Sequence, residues 1–493
     1  MQIHMIGHAC IFVETQDCKI LMDPVFWDPH CEEIEGIFPN RELNYEKLPE
    51  FDILIISHQH LDHFDIRSLA SLPKNVDVLI PCDKVLQNCL SELGYSNIYP
   101  LQDFDEVKIG STTLLTTRSE ERVPEYGIVV ADASGVFWNQ VDTDVSLDTI
   151  RKVISRYSQV DFLLTRWQPL FEVNYQLNKS LSFPYDEYSQ WLKAISFVQA
   201  KAISPGANGF KYVNGSSWLN QVAFPVTREQ FCRDIKMVCP EVGENIFTLD
   251  PGDIISFDKG EFCYKQEKSQ IVTRLDNNRE ILDFSPVNIG KNLKDYNSEQ
   301  YDIDDMMKTI KEEICLNLPI FINENKNSSF LEHIYWNVVY QLEIVFPNSS
   351  CKWYFDFTEN NIQAHSGRNP FANFLTTITA SSFYSILKGI KGWDCPVMGG
   401  YYRSFKKIYV PTKYGIIKPT NEQIEEPLFF RFPYKDAFYK ARQAELEKWN
   451  KMTRNDLVQH ESKYFMMKMG NTLVRLSKTT NKEVKDVEYA IRL

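Results

Sequence analysis

Four metal-ligating side chains crowd into the segment Ser57-His58-Gln59-His60-Leu61-Asp62-His63. Neutral imidazole nitrogens and ionised carboxylates are the usual ligands of zinc, iron and manganese. In an extended segment alternate side chains share a side, so His58 and His60 can reach one ion. Asp62 and His63 can reach a second position a few ångströms away. The cluster directly follows Phe51-Asp-Ile-Leu-Ile-Ile56, an apolar run consistent with a strand buried on both faces. A chance surface cluster of histidines has no reason to fall in register behind such a strand. A metal centre is expected here, with His58, His60, Asp62 and His63 as ligands. Asp62 is also a candidate catalytic group that positions or deprotonates a metal-activated water.

The surrounding pattern supplies elements to hold that loop. Residues 2–6, 10–14 and 19–22 read as a meander ending in Asp23-Pro24. Helices are expected over 65–72 and 84–93. Further strands are expected at 76–80, 107–116, 127–131, 136–140, 162–165 and 201–204. The alternation is that of an α/β chain folded as a four-layer αβ/βα sandwich with a C-terminal α+β domain. The first domain is expected to close near Asp250-Pro-Gly-Asp253, giving a unit over 1–260. A polar connector or subdomain over 261–325 follows, then an α+β domain over 326–420 and a helical tail over 421–493. Within these, 353–357 and 362–365 read as paired strands, 378–387 as a helix stopped by Gly389, and 435–451 as a clear helix.

A length of 493 residues exceeds what one core usually supports. Apolar residues at 43% and charged residues at 24% mark a folded chain rather than a disordered one. The net charge of −13, without a basic block, argues against a nucleic-acid partner and a polybasic membrane surface. The eleven cysteines contain no C-x-x-C pair, which disfavours cysteine-ligated zinc and Rieske or ferredoxin clusters. With no run of apolar residues long enough to span a bilayer, the expectation is a soluble, cytoplasmic protein.

The H-x-H-x-D-H loop, together with Gly7-His8-Ala9 and Ile20-Leu21-Met22-Asp23-Pro24, resembles the metallo-β-lactamase superfamily over the first 260 residues. The opening is similar to the branch containing ascorbate-6-phosphate lactonase and N-acylphosphatidylethanolamine phospholipase D. The resemblance implies that Asp23 supports the histidine loop, while His8 either borders the site or is a satisfied structural histidine. It also implies another histidine after the loop, then a bridging aspartate, then a final histidine. Yet no histidine occurs between His63 and His333. Thr117-Arg118-Ser119-Glu120-Glu121 stands in the first place, Val141-Asp142 in the second, and the stretch with Ala207 and Asn208 in the third. Glu120 and Glu121 are candidate ligands in place of histidine. Their alternatives are a solvated carboxylate pair or a decayed second metal position. Asp142 is a candidate ligand or a turn-forming residue sharing its loop with Asp144.

A carboxylate in place of an imidazole adds a hard anionic donor and favours iron or manganese over zinc. In this the metal site resembles the metallo-β-lactamase-fold diiron hydroxylases of antibiotic pathways. The wider chain is similar to CMP-N-acetylneuraminate hydroxylase beyond its Rieske domain, through the histidine loop, Val141-Asp142 and Pro205-x-Ala207-x-x-Phe210. These likenesses imply a non-haem iron oxygenase or hydroxylase acting on a small molecule, with one or two iron ions and zinc or manganese as alternatives. Electrons would come from an external ferredoxin or reductase or from the substrate, since the Rieske cysteines are missing. The alternative is a metal-dependent lactonase or phosphodiesterase; a non-catalytic binding protein is the third reading. An insert rich in arginine and aromatics holds Arg166, Trp167 and Tyr175, which with Asn208 are candidate substrate-binding residues. Packing against the second domain explains the same aromatics, and a structural ion pair explains Arg166 as well as a substrate anion does. The stretches 378–389 and 399–403 resemble a sterol-carrier-like domain, with a plain α+β accessory or dimerisation domain as the alternative.

Overall fold

The computed structural model describes all residues except 122, 173, 175–179, 208, 286–292, 421–423, 454–463, 470–471 and 478–493. At the N-terminus β1 (Gln2–Gly7), β2 (Cys10–Glu14) and β3 (Lys19–Met22) form an antiparallel meander. Two short strands, β4 (Glu35–Ile37) and β5 (Asn40–Leu43), leave this sheet. β6 (Ile53–Ile55), β7 (Asp77–Pro81) and β8 (Ile98–Leu101) then extend it in parallel. The crossovers carry α1 (Ile66–Ser71) and α2 (Lys84–Glu92), whose first turns are capped by the carboxylates of Asp65 and Asp83. β6 is apolar throughout because both faces are covered. Ile53 and Ile55 enter the core between the two large sheets, while Leu54 enters the core that also holds Leu69, Leu86 and Leu90 of α1 and α2.

The second sheet contains β9 (Glu106–Ile109), β10 (Thr112–Arg118), β11 (Tyr126–Asp132), β12 (Gly135–Asn139), β13 (Phe162–Thr165) and β14 (Ala202–Pro205), in the order β14-β13-β12-β11-β10-β9. The single strand expected over 107–116 is a hairpin instead. Gly110 turns at φ 57°, and Asp17 accepts the backbone N–H groups of Ser111 and Thr112 across the turn. On the outer face lie α3 (Leu147–Tyr157), α4 (Tyr185–Val198) and α5 (Arg228–Val238), which share a core with Val129, Trp138 and Leu163. Helices, sheet, sheet and helices therefore make the four layers of an αβ/βα sandwich.

β15 (Phe210–Tyr212) pairs with β4. The segment expected as a connector begins inside the sandwich: β16 (Ile254–Asp258) and β17 (Glu261–Lys265) form one edge of the first sheet, and β18 (Val272–Asp276) pairs with β5. Farther on, β19 (Val339–Val345), β20 (Ser350–Asp356), β21 (His365–Ser366), β22 (Phe374–Thr379) and β23 (Tyr402–Lys406) build a mixed sheet ordered β21-β20-β19-β22-β23. The helix expected from 378 starts at Ala380, because Ile378 and Thr379 complete β22 against β19 and are buried there. One compact unit holds residues 1–384 and 394–433; the other holds 385–393 and 434–493. The latter contains the expected helix, at Tyr434–Thr453, followed by an antiparallel hairpin of Tyr464–Met469 with Thr472–Ser477 where only helix was expected. Among the described residues no helix is long and apolar enough to cross a membrane.

His333 illustrates a buried titratable group that the fold keeps neutral. It lies among the rings of Phe330, Phe357 and Phe430, and its Nε2–H donates to the Glu425 carbonyl at 2.8 Å. Burial pushes its pKa down to about 4. The unfolded chain therefore takes up a proton below about 6.5 that the folded chain refuses down to about 4. The stabilisation is present above the unfolded pKa and is lost as pH falls through the folded one. It amounts to on the order of 3 kcal/mol. We predict that His333→Phe flattens the pH dependence of unfolding free energy between pH 7 and 4, read by urea titration. An unchanged slope contradicts this assignment.

Candidate metal centre

The first ligand scaffold is the end of β3. Asp23 turns at φ 41° and donates its N–H to the Ile55 carbonyl, tying β3 to β6. Its side chain is fully buried. Oδ1 accepts the Ser57 N–H at 2.7 Å, and Oδ2 accepts the Ser57 hydroxyl at 2.7 Å. Oδ2 also lies 2.9 Å from His63 Nδ1, so Nδ1–H donates to it and Nε2 is the atom presented to the site. Ser57 Oγ is 2.9 Å from His58 Nδ1, which fixes the neighbouring ring in the same sense.

Two groups of ligand atoms converge on this loop. In the first, His8 Nε2 is 3.0 Å and His63 Nε2 is 3.3 Å from Asp62 Oδ2. In the second, Asp142 places Oδ1 3.8 Å from His58 Nε2 and Oδ2 3.8 Å from His63 Nε2. Within each group every ligand atom lies within 4.8 Å of the others, and His63 belongs to both. His63 Nε2 and Asp142 Oδ1 are buried without a hydrogen-bond partner. Buried polar atoms seldom stay unpaired, and two lone-pair atoms buried in the same cluster without donors fit a cation that both could bind. Asp142 reaches the site because Val141 turns at φ 55° just beyond β12, and His8 does so because Gly7 and His8 turn at φ 147° and 52°.

The electrostatics agree with that fit. Burial, then the neighbouring His63, lowers the His58 pKa to about 4, leaving a neutral imidazole. Burial also lowers the His8 pKa, against the pull of Asp62. Burial alone would lower that of His63, but Asp62, Asp142 and Asp23 together hold it well above the usual imidazole range. The proton there balances carboxylates that a bound cation would balance instead. Burial works to raise Asp62, yet His63 and His8 hold it well below the usual carboxylate range.

The remaining expected residues fall in different places. His60 is exposed, with Nδ1 2.8 Å from His58 Nε2. Glu120 and Glu121 join neither ligand group: Glu120 pairs with Arg118 at 3.2 Å and Glu121 with Arg166 at 3.0 Å, both on the solvent side. These arginines supply each glutamate with a counter-charge of its own. The same loop instead buries Glu125, which accepts the Ser119 hydroxyl; burial, and Asp142 beside it, raise its pKa to about 7. Arg166 also stacks over Trp191 at 4.7 Å, the structural ion-pair alternative. Trp167 is buried, donating Nε1–H to the Ala207 carbonyl at 2.9 Å. Asn208 and Tyr175 lie outside the described residues. The sequence left His8 undecided, its only signal being the Gly7-His8 turn, and for Glu125 it offered no signal beyond the loop itself.

A four-layer αβ/βα sandwich with a histidine–aspartate loop at the strand ends defines the metallo-β-lactamase fold. Residues 2–135 are a β-lactamase superfamily domain by match to that family's profile. A Mycobacterium tuberculosis protein that carries the name of a Rieske 2Fe-2S iron-sulfur protein is 28% identical over 195 residues, 34% of this chain and 36% of its own. The chain thus spans about a third of the length of that relative. The 4-amino-L-phenylalanyl-[CmlP-peptidyl-carrier-protein] 3-hydroxylase of Streptomyces venezuelae is 29% identical over 122 residues, 23% of this chain and 22% of its own. Among solved structures, the diiron β-hydroxylase CmlA of S. venezuelae covers 42% of this chain and 45% of its own at 19% identity and TM-score 0.34. Isothiocyanate hydrolase from Delia radicum gut bacteria covers 52% of this chain and 100% of its own at 17% identity and TM-score 0.38.

Asp23 touches no ligand position directly, yet it sets the His63 tautomer and holds the loop. Replacing such a supporting carboxylate typically weakens metal binding about 10–100-fold. Asp23→Asn is expected to show that loss in chelator competition with the folded protein. Unchanged affinity contradicts the supporting role.

Proposed function

We propose that the chain is a metal-dependent oxygenase of the non-haem iron type acting on a small molecule. The observation that carries this is the composition of the two ligand groups, His8/Asp62/His63 and His58/His63/Asp142. Two histidines and one carboxylate with positions left open is the donor set of non-haem iron oxygenases. The names of a hydroxylase relative and of a Rieske relative support a redox reading. Bound iron, as one or two ions, would supply the electron-transfer chemistry that dioxygen needs; manganese and zinc are the alternatives.

The chain's own residues prepare that centre. Asp23 orients His63, and Asp62 and Asp142 provide the negative charge that favours a higher metal charge. Glu125, with its pKa near 7, carries an exchangeable proton beside Asp142. Electrons would reach the site from an external ferredoxin or reductase.

The second reading is a metal-dependent hydrolase, with Asp62, tethered to His8, orienting an attacking water. It draws on a UPF0173 metal-dependent hydrolase of Salinibacter ruber, 30% identical over 110 residues, 22% of this chain and 43% of its own.

Metal analysis after expression in iron-supplied medium, followed by oxygen uptake with a chemical reductant, separates the two. The expected result is retained iron and reductant-dependent uptake that falls at least ~100-fold in His63→Ala, as loss of a metal ligand implies. Tight zinc with no iron-dependent uptake, together with cleavage of a lactone or phosphodiester panel abolished by Asp62→Asn, overturns the oxygenase reading.

A further inference from the structure

A cavity of about 380 Å³ lies next to the metal centre, with Phe38, Trp167, Phe210 and Phe224 in its walls. Small-molecule sites generally enclose roughly 300–1,000 Å³ and combine apolar walls with a few convergent polar groups. The partition between cavity and ligands is thin. Phe210 meets the His8 ring edge-on with centroids 5.6 Å apart. Gly209, also in the wall, packs so tightly that an added Cβ would sit 3.2 Å from the His8 backbone. A molecule in the cavity therefore rests against the residues that fix His8.

Several polar side chains face this space. Gln168 donates Nε2–H to the Val226 carbonyl at 2.9 Å, while its Oε1 is buried with no partner. A buried acceptor of this sort invites an N–H or O–H donor. Arg228, Arg279 and Arg368 also line the cavity. Their acidic partners are Asp250 at 2.5 Å, Glu229 at 2.7 Å and Asp283 respectively, which leaves each guanidinium with further N–H donors. Burial, and then the nearby Arg228, lower the Arg279 pKa, so positive charge is crowded here. Among the described residues Glu229 is the one acidic wall residue, and it is already paired with Arg279. A bound anion relieves the crowding; a bound cation worsens it.

We infer that this cavity is the anchoring subsite of the substrate, and that it takes an aromatic acid: a planar body between the Phe and Trp walls, an N–H or O–H donor for Gln168 Oε1, and an anionic group on Arg228, Arg279 and Arg368. That the anchored molecule is the substrate rests on the oxygenase reading; that the cavity binds it does not.

Two probes of one shape separate these contributions. 1-Anilinonaphthalene-8-sulfonate has the aromatic body, the N–H and an anion, and N-phenyl-1-naphthylamine has the first two alone. Fluorescence titration of the full chain is expected to give one site for the sulfonate and at least ~10-fold weaker binding of the neutral amine, about the step of one charge-assisted contact. Leu282→Trp, which fills the cavity from its partly buried rim, and Arg368→Gln are each expected to weaken the sulfonate at least ~10-fold in protein that still unfolds in one cooperative transition. Arg368→Gln alone decides if Leu282→Trp does not fold. Equal binding of the two probes, or sulfonate binding untouched by Arg368→Gln, overturns the inference. Metal content measured on the same samples keeps the two proposals apart: the probe result standing without bound iron supports the cavity and removes only the oxygenase.

Discussion

Asp23 lies fully buried at the end of β3, with both carboxylate oxygens occupied by the Ser57 N–H, the Ser57 hydroxyl and His63 Nδ1. Withdrawing a carboxylate from water carries a penalty of several kcal/mol unless donors replace the lost hydration. These three donors do so, and in satisfying Asp23 they become fixed themselves. The first holds the histidine loop against β3, the second aligns His58, and the third dictates which nitrogen of His63 faces inward. The antiparallel meander and the β3–β6 pairing are what bring this carboxylate to the loop. The scaffold and the site are joined through one side chain.

Around that anchor the charges do not balance without a cation. Asp62 and Asp142 face His8, His58 and His63, and burial keeps His8 and His58 neutral. The protein alone answers with a proton on His63, held there by three carboxylates. A proton can occupy one nitrogen, whereas Asp142 Oδ1 stays orphaned. A metal ion would satisfy both atoms at once. The same accounting explains the loop after β10: its outward glutamates are neutralised by Arg118 and Arg166, and its inward one, Glu125, is driven toward the protonated form.

The buried strand and the nearness of His58, Asp62 and His63 were legible in sequence, because ligand spacing and a continuous apolar run are both local patterns; the same spacing also drew in His60, which is exposed and in neither ligand group. Asp142 and Asp23 were reachable through the resemblance, and the strands that carry them fell close to their expected bounds. Glu120 and Glu121 lie outside both ligand groups, a placement the sequence could not show: a carboxylate's role depends on which cation stands nearest, and Arg166 is 45 residues away from Glu121 in the chain. His8 needed the packing of β15 against β4 to bring Phe210 beside it. The hairpin at Gly110 was hidden because both its arms alternate alike, and the end of the sandwich was hidden because β18 pairs with the distant β5.

Anomalous diffraction at the iron edge from crystals grown with ferrous iron tests the convergence most directly. The predicted result is a peak bonded to His63 Nε2 and shared with Asp142 or with Asp62 and His8. An iron-loaded crystal with no peak at His63, or with the ion held by Glu120 and Glu121 on the outer loop, contradicts the account.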